Sequence, residues 1–467
     1  MGVIGRMRGS SGRRDASARE TDVVILGAGF AGLMAARTVL AAGKDVLVVE
    51  ARDRVGGRIW TRPAADGTPL DVGGQWVGPT QKRLLTLIEE LGLSLWKSYD
   101  SGKNIQLLRG ERHEYTGAIP THDPLAAAET METVLALHEM ASEVPLDAPW
   151  QAPHASEWDS QTFHTWMYAN VNNEAVRDLL TLCIQAVFSI EPRDLSLLHA
   201  LFYMRSGGTL LNLISVTNGA QESRVTGGAQ AVALGMAASL GERVILSAAA
   251  HTITQDERGV RVETSAGAIE ARLAIIALPP PLAGRLRYVP SLPGYRDQLT
   301  QRMPLGTVIK AQCLYDVPFW REAGFSGQAI ADTGAVHVAF DNTPPEGRPG
   351  ILLGFVEGDE GRHWGRESAE ARRAAILASF ERFFGPLAAS PREYVEQSWA
   401  EEEYTRGCYA SFMPPGVWTS YGEALRAPIG RLHWAGTETA TVWNGYMDGA
   451  LQSGERAAHE VLAALGV

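Results

Sequence analysis

The sequence predicts an α/β protein that opens with a Rossmann-like βαβ unit, and three observations carry this prediction. An apolar run of strand length from Asp22 to Leu26 is followed by the stretch Gly27-Ala28-Gly29-Phe30-Ala31-Gly32. Residues 31–42 then have the apolar spacing of a helix. A second apolar run begins at Val46 and ends at Glu50, so the unit closes on an acidic residue.

These glycines suit the chemistry of a dinucleotide site. Gly27 permits a tight turn, Gly29 lets the backbone approach a pyrophosphate, and Gly32 lets helix and strand pack closely. The N-terminus of the helix attracts an anion, and the carboxylate of Glu50 can accept hydrogen bonds from ribose hydroxyls. The sequence therefore predicts a nucleotide cofactor at this turn.

The rest of the chain alternates between helical and strand-like regions. Residues 125–206 have mainly helical spacing, and residues 368–384 form a further predicted helix. Residues 307–355 alternate in the manner of strands. Four more strands are predicted at residues 244–246, 251–254, 259–264 and 273–278, before the break at Pro279-Pro280-Pro281.

Composition narrows the function classes. The chain has 467 residues and a formal charge of −11, which opposes binding to nucleic acid or anionic lipid. Three cysteines are too few for a disulfide framework or a four-ligand zinc site, so we expect no metal and a reducing, cytoplasmic location. No apolar stretch is long enough to span a membrane, so no membrane anchor is expected. Residues 1–20 are polar and arginine-rich, which predicts a disordered tail.

The residues after Glu50 carry a first resemblance. Arg52 is followed by the glycine pair Gly56-Gly57 and by Arg58, whose guanidinium can face diphosphate oxygens. This segment resembles the extended FAD signature of the flavin amine oxidases. No second GxGxxG stretch occurs, so we expect only one dinucleotide site. This favours a flavoenzyme whose reduced flavin is oxidised by O2 over a reductase whose flavin is reduced by a nicotinamide nucleotide.

Further motifs resemble the flavin monoamine oxidase family in the same order along the chain. They are residues 70–81, residues 217–222 with Gly227-Gly228, residues 303–310, and the C-terminal stretch 436–447. The resemblance implies a flavoprotein of the GR2 type with two interleaved domains. The FAD-binding domain would comprise residues 21–95, 226–299 and 402–467, and an α+β substrate-binding domain would comprise residues 96–225 and 300–401.

The resemblance also assigns roles to residues. Lys310 would be a catalytic residue that hydrogen-bonds a water at flavin N5, and Tyr409 and Tyr446 would form two aromatic walls that guide the substrate nitrogen. A larger set would contact FAD: Gly27, Gly29, Gly32, Glu50, Arg52, Gly57, Arg58, Gly74, Gln75, Trp76, Val244, Cys408, Gly436, Glu438, Tyr446 and Met447. The substrate cavity would be lined by Tyr203, Ile214, Gln221, Phe325, Phe340 and Phe355.

Cys408 poses a separate question. The segment Gly407-Cys408-Tyr409 resembles the stretch through which membrane-bound monoamine oxidases attach FAD covalently, whereas several soluble bacterial relatives hold FAD noncovalently. An 8α-S-cysteinyl link at Cys408 is our hypothesis, and noncovalent binding is the alternative.

The resemblance thus implies an FAD-dependent amine oxidase. It would oxidise a mainly hydrophobic primary or secondary amine to an imine, which hydrolyses to an aldehyde or ketone, while O2 becomes H2O2. The alternatives are a polyamine, diamine or L-amino-acid oxidase of the same superfamily and, in a different class, a C–C desaturase or protoporphyrinogen-type oxidase. No acid at the matching cavity positions indicates capture of a second ammonium group. A homodimer is expected from the resemblance alone.

Overall fold

The fold is taken from a computed structural model, which describes residues 18–120 and 122–467. Most of the predicted tail, residues 1–17, lies outside the described residues. At its end the prediction is wrong, because the first strand already begins at Arg19 and pairs in parallel with Ile269. The polar residues Arg19 and Glu20 join the strand because backbone pairing with a neighbour does not require apolar side chains.

The described part of the chain forms twenty strands. In chain order they are β1 Arg19–Leu26, β2 Val46–Val49, β3 Thr61–Pro63, β4 Pro69–Asp71, β5 Trp76–Val77, β6 Leu95–Lys97, β7 Lys103–Leu108, β8 Glu111–Tyr115, β9 Ser223–Val225, β10 Val244–Ile245, β11 Ala250–Gln255, β12 Val260–Thr264, β13 Gly267–Ile276, β14 Arg287–Val289, β15 Val308–Tyr315, β16 Phe325–Ala331, β17 Val338–Asp341, β18 Gly350–Glu357, β19 Glu393–Ser398 and β20 Leu432–Trp434.

The helices fill the middle of the chain and cover the sheets. In chain order they are α1 Phe30–Ala41, α2 Lys82–Glu90, α3 Pro124–Ser142, α4 Ala155–Asp159, α5 Phe163–Asn170, α6 Glu174–Phe188, α7 Leu197–Gly207, α8 Leu210–Ile214, α9 Gln230–Leu240, α10 Pro280–Ala283, α11 Gly294–Gln301, α12 Phe319–Glu322, α13 Gly358–Trp364, α14 Ala369–Phe384, α15 Val417–Tyr421 and α16 Met447–Leu465.

The first sheet has the order β10-β2-β1-β13-β12-β11-β14, and β20 also pairs with β13. Strands β2, β1 and β13 pair in parallel, and the last four residues of β1 and of β13, which are Val, Ile, Leu and Ala, are buried. Helices α1 and α16 pack together on one face, so the C-terminal helix lies against the first helix of the chain. The sheet thus brings the opening glycine turn and the C-terminal segment to one edge.

The second sheet has the order β19-β15-β18-β17-β16-β7-β8. Strand β15 lies between β19 and β18 and is buried along its whole length. The antiparallel register pairs Lys310 with Phe355 and Val308 with Glu357. Phe355 and Glu357 therefore project from the same face of β18, because side chains two residues apart on a strand share a face.

A separate three-stranded sheet has the order β5-β9-β6 and pairs Trp76 with Arg224. The helical region from α3 to α8 packs as a separate apolar cluster, in which Phe202 and Leu198 are fully buried. Among the helices of residues 18–120 and 122–467, none has the length and apolar composition needed to cross a membrane.

Candidate active site

The site begins at the turn between β1 and α1. Gly27 has a φ of +102°, a conformation that suits glycine, and its N–H donates to the carbonyl of Val49. A Cβ on Gly32 would lie 1.9 Å from the carbonyl oxygen of Gly27, so only glycine lets α1 pack this close to the turn. A Cβ on Gly29 would meet no atom within 4 Å, which leaves the helix N-terminus open to an anion.

The acid that ends the second strand is fixed by backbone donors. Glu50 is buried, and its two carboxylate oxygens accept hydrogen bonds from the N–H groups of Ala28 at 2.8 Å and Arg52 at 3.0 Å. The guanidinium of Arg52 extends to Glu402 at 2.9 Å. Glu50 therefore holds the glycine turn in shape and presents an anionic edge to the adjoining cavity.

Arg58 forms a buried ion pair across almost the whole chain. Its Nη1 and Nη2 donate to Oε1 and Oε2 of Glu438 at 2.6 and 3.1 Å, and Nη1 also donates to the carbonyl of Tyr409 at 2.9 Å. Burial opposes the charge of Glu438, but the charge and hydrogen bonds of Arg58 hold the pKa of Glu438 below its usual value. Arg58 thus links the C-terminal segment that contains Glu438 to the loop that contains Gly56 and Gly57.

One elongated cavity of about 500 Å³ runs from the glycine turn to the second sheet. Residues from both ends of the chain line it, and most of the residues assigned above to cofactor or catalysis are among them. These are Gly27, Gly29, Glu50, Arg52, Gly57, Arg58, Gly74, Gln75, Trp76, Lys310, Cys408, Tyr409, Gly436, Tyr446 and Met447. We call this space the cofactor cavity.

Lys310 is the basic group at the inner end of this cavity. It is 4% exposed, and its Nζ donates to the carbonyl of Gly73 at 2.7 Å and to Oε1 of Gln75 at 2.6 Å. Nζ also lies 5.9 Å from the ring centroid of Trp76 and 5.8 Å from that of Phe355. Burial lowers the pKa of Lys310 to about 7, so its charge changes near neutral pH.

A directional chain of side-chain amides supports Lys310. Nε2 of Gln75 donates to Oδ1 of Asn342 at 2.9 Å, and Nδ2 of Asn342 donates to Oε1 of Gln312 at 2.6 Å. Nε2 of Gln312 donates in turn to the carbonyl of Asp71 at 3.1 Å. These hydrogen bonds orient the three amides, so that Oε1 of Gln75 points toward Lys310.

The two tyrosines come from separate C-terminal loops and both line the cofactor cavity. The ring of Tyr409 lies edge-on to Phe355, with centroids 6.0 Å apart, and Tyr446 packs against Trp443 at 4.8 Å. A Cβ on Gly445 would lie 2.4 Å from the hydroxyl of Tyr203, so glycine is required beside Tyr446. Burial raises the pKa values of both tyrosines, which keeps their hydroxyls neutral.

Cys408 lies on the wall of the same cavity, next to Tyr409. Its thiol is 4% exposed, and burial raises its pKa to about 12. The other two cysteines, Cys183 and Cys313, do not line the cofactor cavity.

A second space of about 220 Å³ adjoins the first, and we call it the distal cavity. The two share the walls formed by Trp76, Gln221, Phe355 and Tyr409. Of the residues assigned to substrate binding, Ile214 and Phe340 line the distal cavity, Gln221 and Phe355 line both cavities, and Tyr203 lines the cofactor cavity.

Several residues that the resemblance assigns to FAD or substrate binding do not line either cavity. Phe325 lines neither cavity, because it stands at the start of β16 beneath Arg112, while residues 328–330 of the same strand face the distal cavity. Val244 is paired with Val48 in the first sheet and also lines neither cavity. Gly32 and Glu438 do not line the cofactor cavity. Gly32 allows α1 to pack against the glycine turn, and Glu438 forms the ion pair with Arg58, which does line the cavity.

The structure adds to the site a buried acid that the sequence did not reveal. Glu357 is fully buried on the wall of the distal cavity, where Oε1 accepts hydrogen bonds from the hydroxyls of Tyr409 and Ser189. Burial raises the pKa of Glu357 to about 8. An acid at the end of an apolar strand run is usually exposed, and only the sheet register could have placed this one beside Tyr409.

Comparison with known proteins identifies the family. A family model for flavin containing amine oxidoreductases matches residues 30–462. The chain belongs to this family. The flavin-containing amine oxidases are oxidoreductases that act on amines and use FAD, and the glycine turn, the buried Glu50 and the cofactor cavity fit that cofactor.

Relatives and solved structures cover nearly the whole chain. A probable flavin-containing monoamine oxidase A of Dictyostelium discoideum is 39% identical over 94% of this chain and 97% of its own. Amine oxidase [flavin-containing] B of Homo sapiens is 38% identical over 95% of this chain and 86% of its own. A putrescine oxidase solved with putrescine bound matches with a TM-score of 0.91 at 35% identity, and the cyclohexylamine oxidase of Brevibacterium oxydans IH-35A with a TM-score of 0.92 at 34% identity. Each covers 96% of this chain and 100% of the other.

Proposed function

We propose that this amine oxidase converts a primary or secondary amine with a mainly apolar carbon skeleton to an imine. The imine hydrolyses to an aldehyde or ketone plus ammonia or an amine, and O2 is reduced to H2O2. The observation that carries the proposal is that Lys310, Tyr409 and Tyr446, which come from distant parts of the chain, all line one cavity. When bound, FAD supplies the two-electron acceptor, so no catalytic triad or metal is required of the protein.

The residues of the chain have three tasks in this reaction. The faces of Tyr409 and Tyr446 present π-electron density to the amine nitrogen and limit its approach. The apolar walls formed by Trp76 and Phe355 exclude water, which would compete with the reacting groups. Lys310 places a cation at the inner end of the cavity, where it stabilises negative charge as the cofactor accepts electrons.

We assign the two interleaved domains as the sequence predicts them. Strands of the first sheet come from residues 19–49, 244–289 and 432–434, which supports an FAD-binding domain of residues 21–95, 226–299 and 402–467. Strands of the second sheet come from residues 103–115 and 308–398, which supports a substrate-binding domain of residues 96–225 and 300–401.

We also propose that Cys408 attaches FAD through an 8α-thioether. The position of its side chain on the cofactor cavity wall supports this. Bond formation removes one hydrogen from the thiol and one from the 8α-methyl group, and the two electrons pass finally to O2 as H2O2. The high pKa of the buried thiol means that it is neutral before it reacts.

We propose a cytoplasmic homodimer as the working form. The absence of a disulfide between Cys183 and Cys313 in the described part of the chain supports a reducing compartment. The dimer rests on the family resemblance, and light scattering of the purified holoenzyme tests it.

A peroxide-coupled screen tests the function. Purified holoenzyme is assayed with primary alkylamines, cyclic amines, diamines and L-amino acids. Peroxide with amines, and none with L-amino acids, is expected. Absence of peroxide from every amine, in protein that retains FAD, would contradict the proposed function.

A further inference from the structure

Lys310 is the one buried lysine among the residues that the structure describes. The sequence contains only five lysines among its 42 basic residues, and the other four are exposed or half-buried. Unlike the guanidinium of arginine, an ammonium group can lose its proton in a protein interior. In this arginine-rich chain, a lysine at position 310 therefore supplies a cation whose charge depends on its neighbours.

The charged groups around Lys310 largely offset one another. Burial opposes its charge most strongly, whereas the carboxylate of Asp71 favours that charge and the buried guanidinium of Arg224 opposes it. Asp71 and Arg224 lie 3.6 Å apart, so they act from nearly the same place with opposite sign. Burial raises the pKa of the Cys408 thiol to about 12 and that of the Glu357 carboxyl to about 8, so both are mainly neutral at pH 7. The neutral acceptors that contact Nζ therefore decide the balance.

One of these acceptors belongs to a row of three amides, Gln75, Asn342 and Gln312, which we call the amide chain. Its direction is fixed at the far end. The backbone carbonyl of Asp71 can only accept, so Gln312 turns Nε2 toward it and Oε1 toward Asn342. Oδ1 of Asn342 then faces Gln75, which turns Nε2 toward it and Oε1 toward Lys310. Reversal of Gln75 would place two acceptors together at one end and two donors together at the other.

Arg224 fixes the middle of the amide chain. It is 4% exposed, and its Nη1 donates to the backbone carbonyl of Asn342 at 3.1 Å. Its guanidinium also lies over the ring of Trp96, 4.7 Å from the centroid. Asn342 is itself buried and lines neither cavity. The side chain of Asn342 is therefore placed to hold other groups rather than to contact a ligand.

We propose that Asn342 and Gln312 are positioning residues for the oxidation of the reduced cofactor. They hold the oxygen of Gln75 on Lys310 and thereby set the pH at which the cation is lost. Without them Gln75 is free to rotate, and its Nε2 can donate to a neutral amine instead. The charged form of Lys310 is then less stable, so the cation disappears at a lower pH. This inference rests on the proposed function, in which Lys310 acts as a cation on the wall of the cofactor cavity.

The small number of lysines allows a direct test. Holoenzyme labelled with [ε-13C]lysine gives five signals in an NMR titration across pH, and the signal that is missing from Lys310→Met belongs to Lys310. This titration reports the charge of the residue itself and does not depend on turnover. The pH profile of the reaction of anaerobically reduced enzyme with O2 is measured in parallel by stopped-flow mixing.

Two substitutions interrupt the amide chain at different points. Asn342→Leu removes the acceptor that faces Gln75, and Gln312→Met removes the link to the carbonyl of Asp71 with little change in side-chain size. Gln106→Met is the matched control, because Gln106 is a buried amide of the same sheet that lies outside the amide chain and outside both cavities. If Asn342→Leu does not fold, Gln312→Met alone decides the outcome.

We expect the pKa of Lys310, about 7 in the wild type, to fall by about one unit in Asn342→Leu and Gln312→Met, about a tenfold change in the protonation equilibrium. The pH at which the reaction with O2 slows should fall by the same amount, and Gln106→Met should match the wild type in both measurements. An unchanged titration in either folded variant, or an equal shift in Gln106→Met, would overturn the inference. If Lys310→Met reacts with O2 as fast as the wild type, the proposed role of Lys310 fails instead. Melting temperature and FAD absorbance show that each variant is folded.

Discussion

Nζ of Lys310 and Oε1 of Gln75 are 2.6 Å apart in a buried site, and the amide that supplies this oxygen is itself oriented by Asn342. Because Lys310 has lost most of its contact with water, these few acceptors determine how well the ammonium form is stabilised. The position and the charge of Lys310 therefore depend on residues that do not face the substrate.

Replacement of Lys310 by Met should slow the return of reduced enzyme to the oxidised state by about 10²-fold, because the cation is lost. In the wild type this rate should fall as pH rises through about 7, where Lys310 loses its proton, and it should be flat in the variant. Stopped-flow mixing of anaerobically reduced enzyme with O2 measures the rate. Equal rates for the two proteins would contradict the role.

Replacement of Asn342 by Ala should lower the stability of the fold, because it leaves Nε2 of Gln75 and Oε1 of Gln312 buried without partners. The expected cost is about 2 kcal/mol. Differential scanning calorimetry measures it, with the exposed Asn172→Ala as a control that should change little. A loss no larger than that of the control would show that the amide chain contributes nothing to stability.

Replacement of Glu438 by Gln should destabilise the protein by about 3 kcal/mol at neutral pH, because Arg58 then keeps a charge without its partner. The folded pKa of Glu438 is lowered, so the stabilisation is present above the unfolded pKa and is lost as pH falls through the folded pKa. The gap between wild type and variant should therefore begin to narrow as pH falls below the ordinary Glu pKa of about 4.3, and it should close only below the lowered pKa of the folded state. Thermal melts across pH test this. Glu455→Gln, in an exposed pair with Arg83, is the control and should cost less than about 1 kcal/mol.

A covalent cofactor would remain with denatured protein. After precipitation with trichloroacetic acid, the yellow colour of the wild type should stay in the pellet, whereas that of Cys408→Ala should pass into the supernatant. Cys313→Ala is the matched control, because Cys313 is equally buried but lies outside both cavities. Complete release of colour from the wild type would refute the link.

Local patterns were sufficient to predict the opening unit of the fold. The turn at Gly27, the helix after it and the acid Glu50 lie within thirty residues or so of one another, and their roles depend on short-range geometry. The family resemblance named Lys310 and the two tyrosines, and the structure brings all three to one cavity.

Contacts between distant segments were not predictable from the sequence. The sequence predicts that Arg58 faces diphosphate oxygens, and Arg58 lines the cofactor cavity, but the hydrogen bonds from both of its terminal nitrogens to Glu438 have no local signal. The resemblance assigns Phe325 to the substrate cavity, but the residues of β16 that line the distal cavity are 328–330, a few positions further along the strand. To predict that Glu357 lies beside Tyr409, one would need the register of β18 and the path of the loop that carries Tyr409. Neither has a local signal in the sequence.

The buried pair of Arg58 and Glu438 also constrains how the protein is made. The two residues are separated by 380 positions, and strand β20 joins the first sheet only near the end of the chain. A chain still emerging from the ribosome cannot form this ion pair until Glu438 has been synthesised. Because Gly436, Tyr446 and Met447 also line the cofactor cavity, the wall of that cavity is complete only when nearly the whole chain has been made.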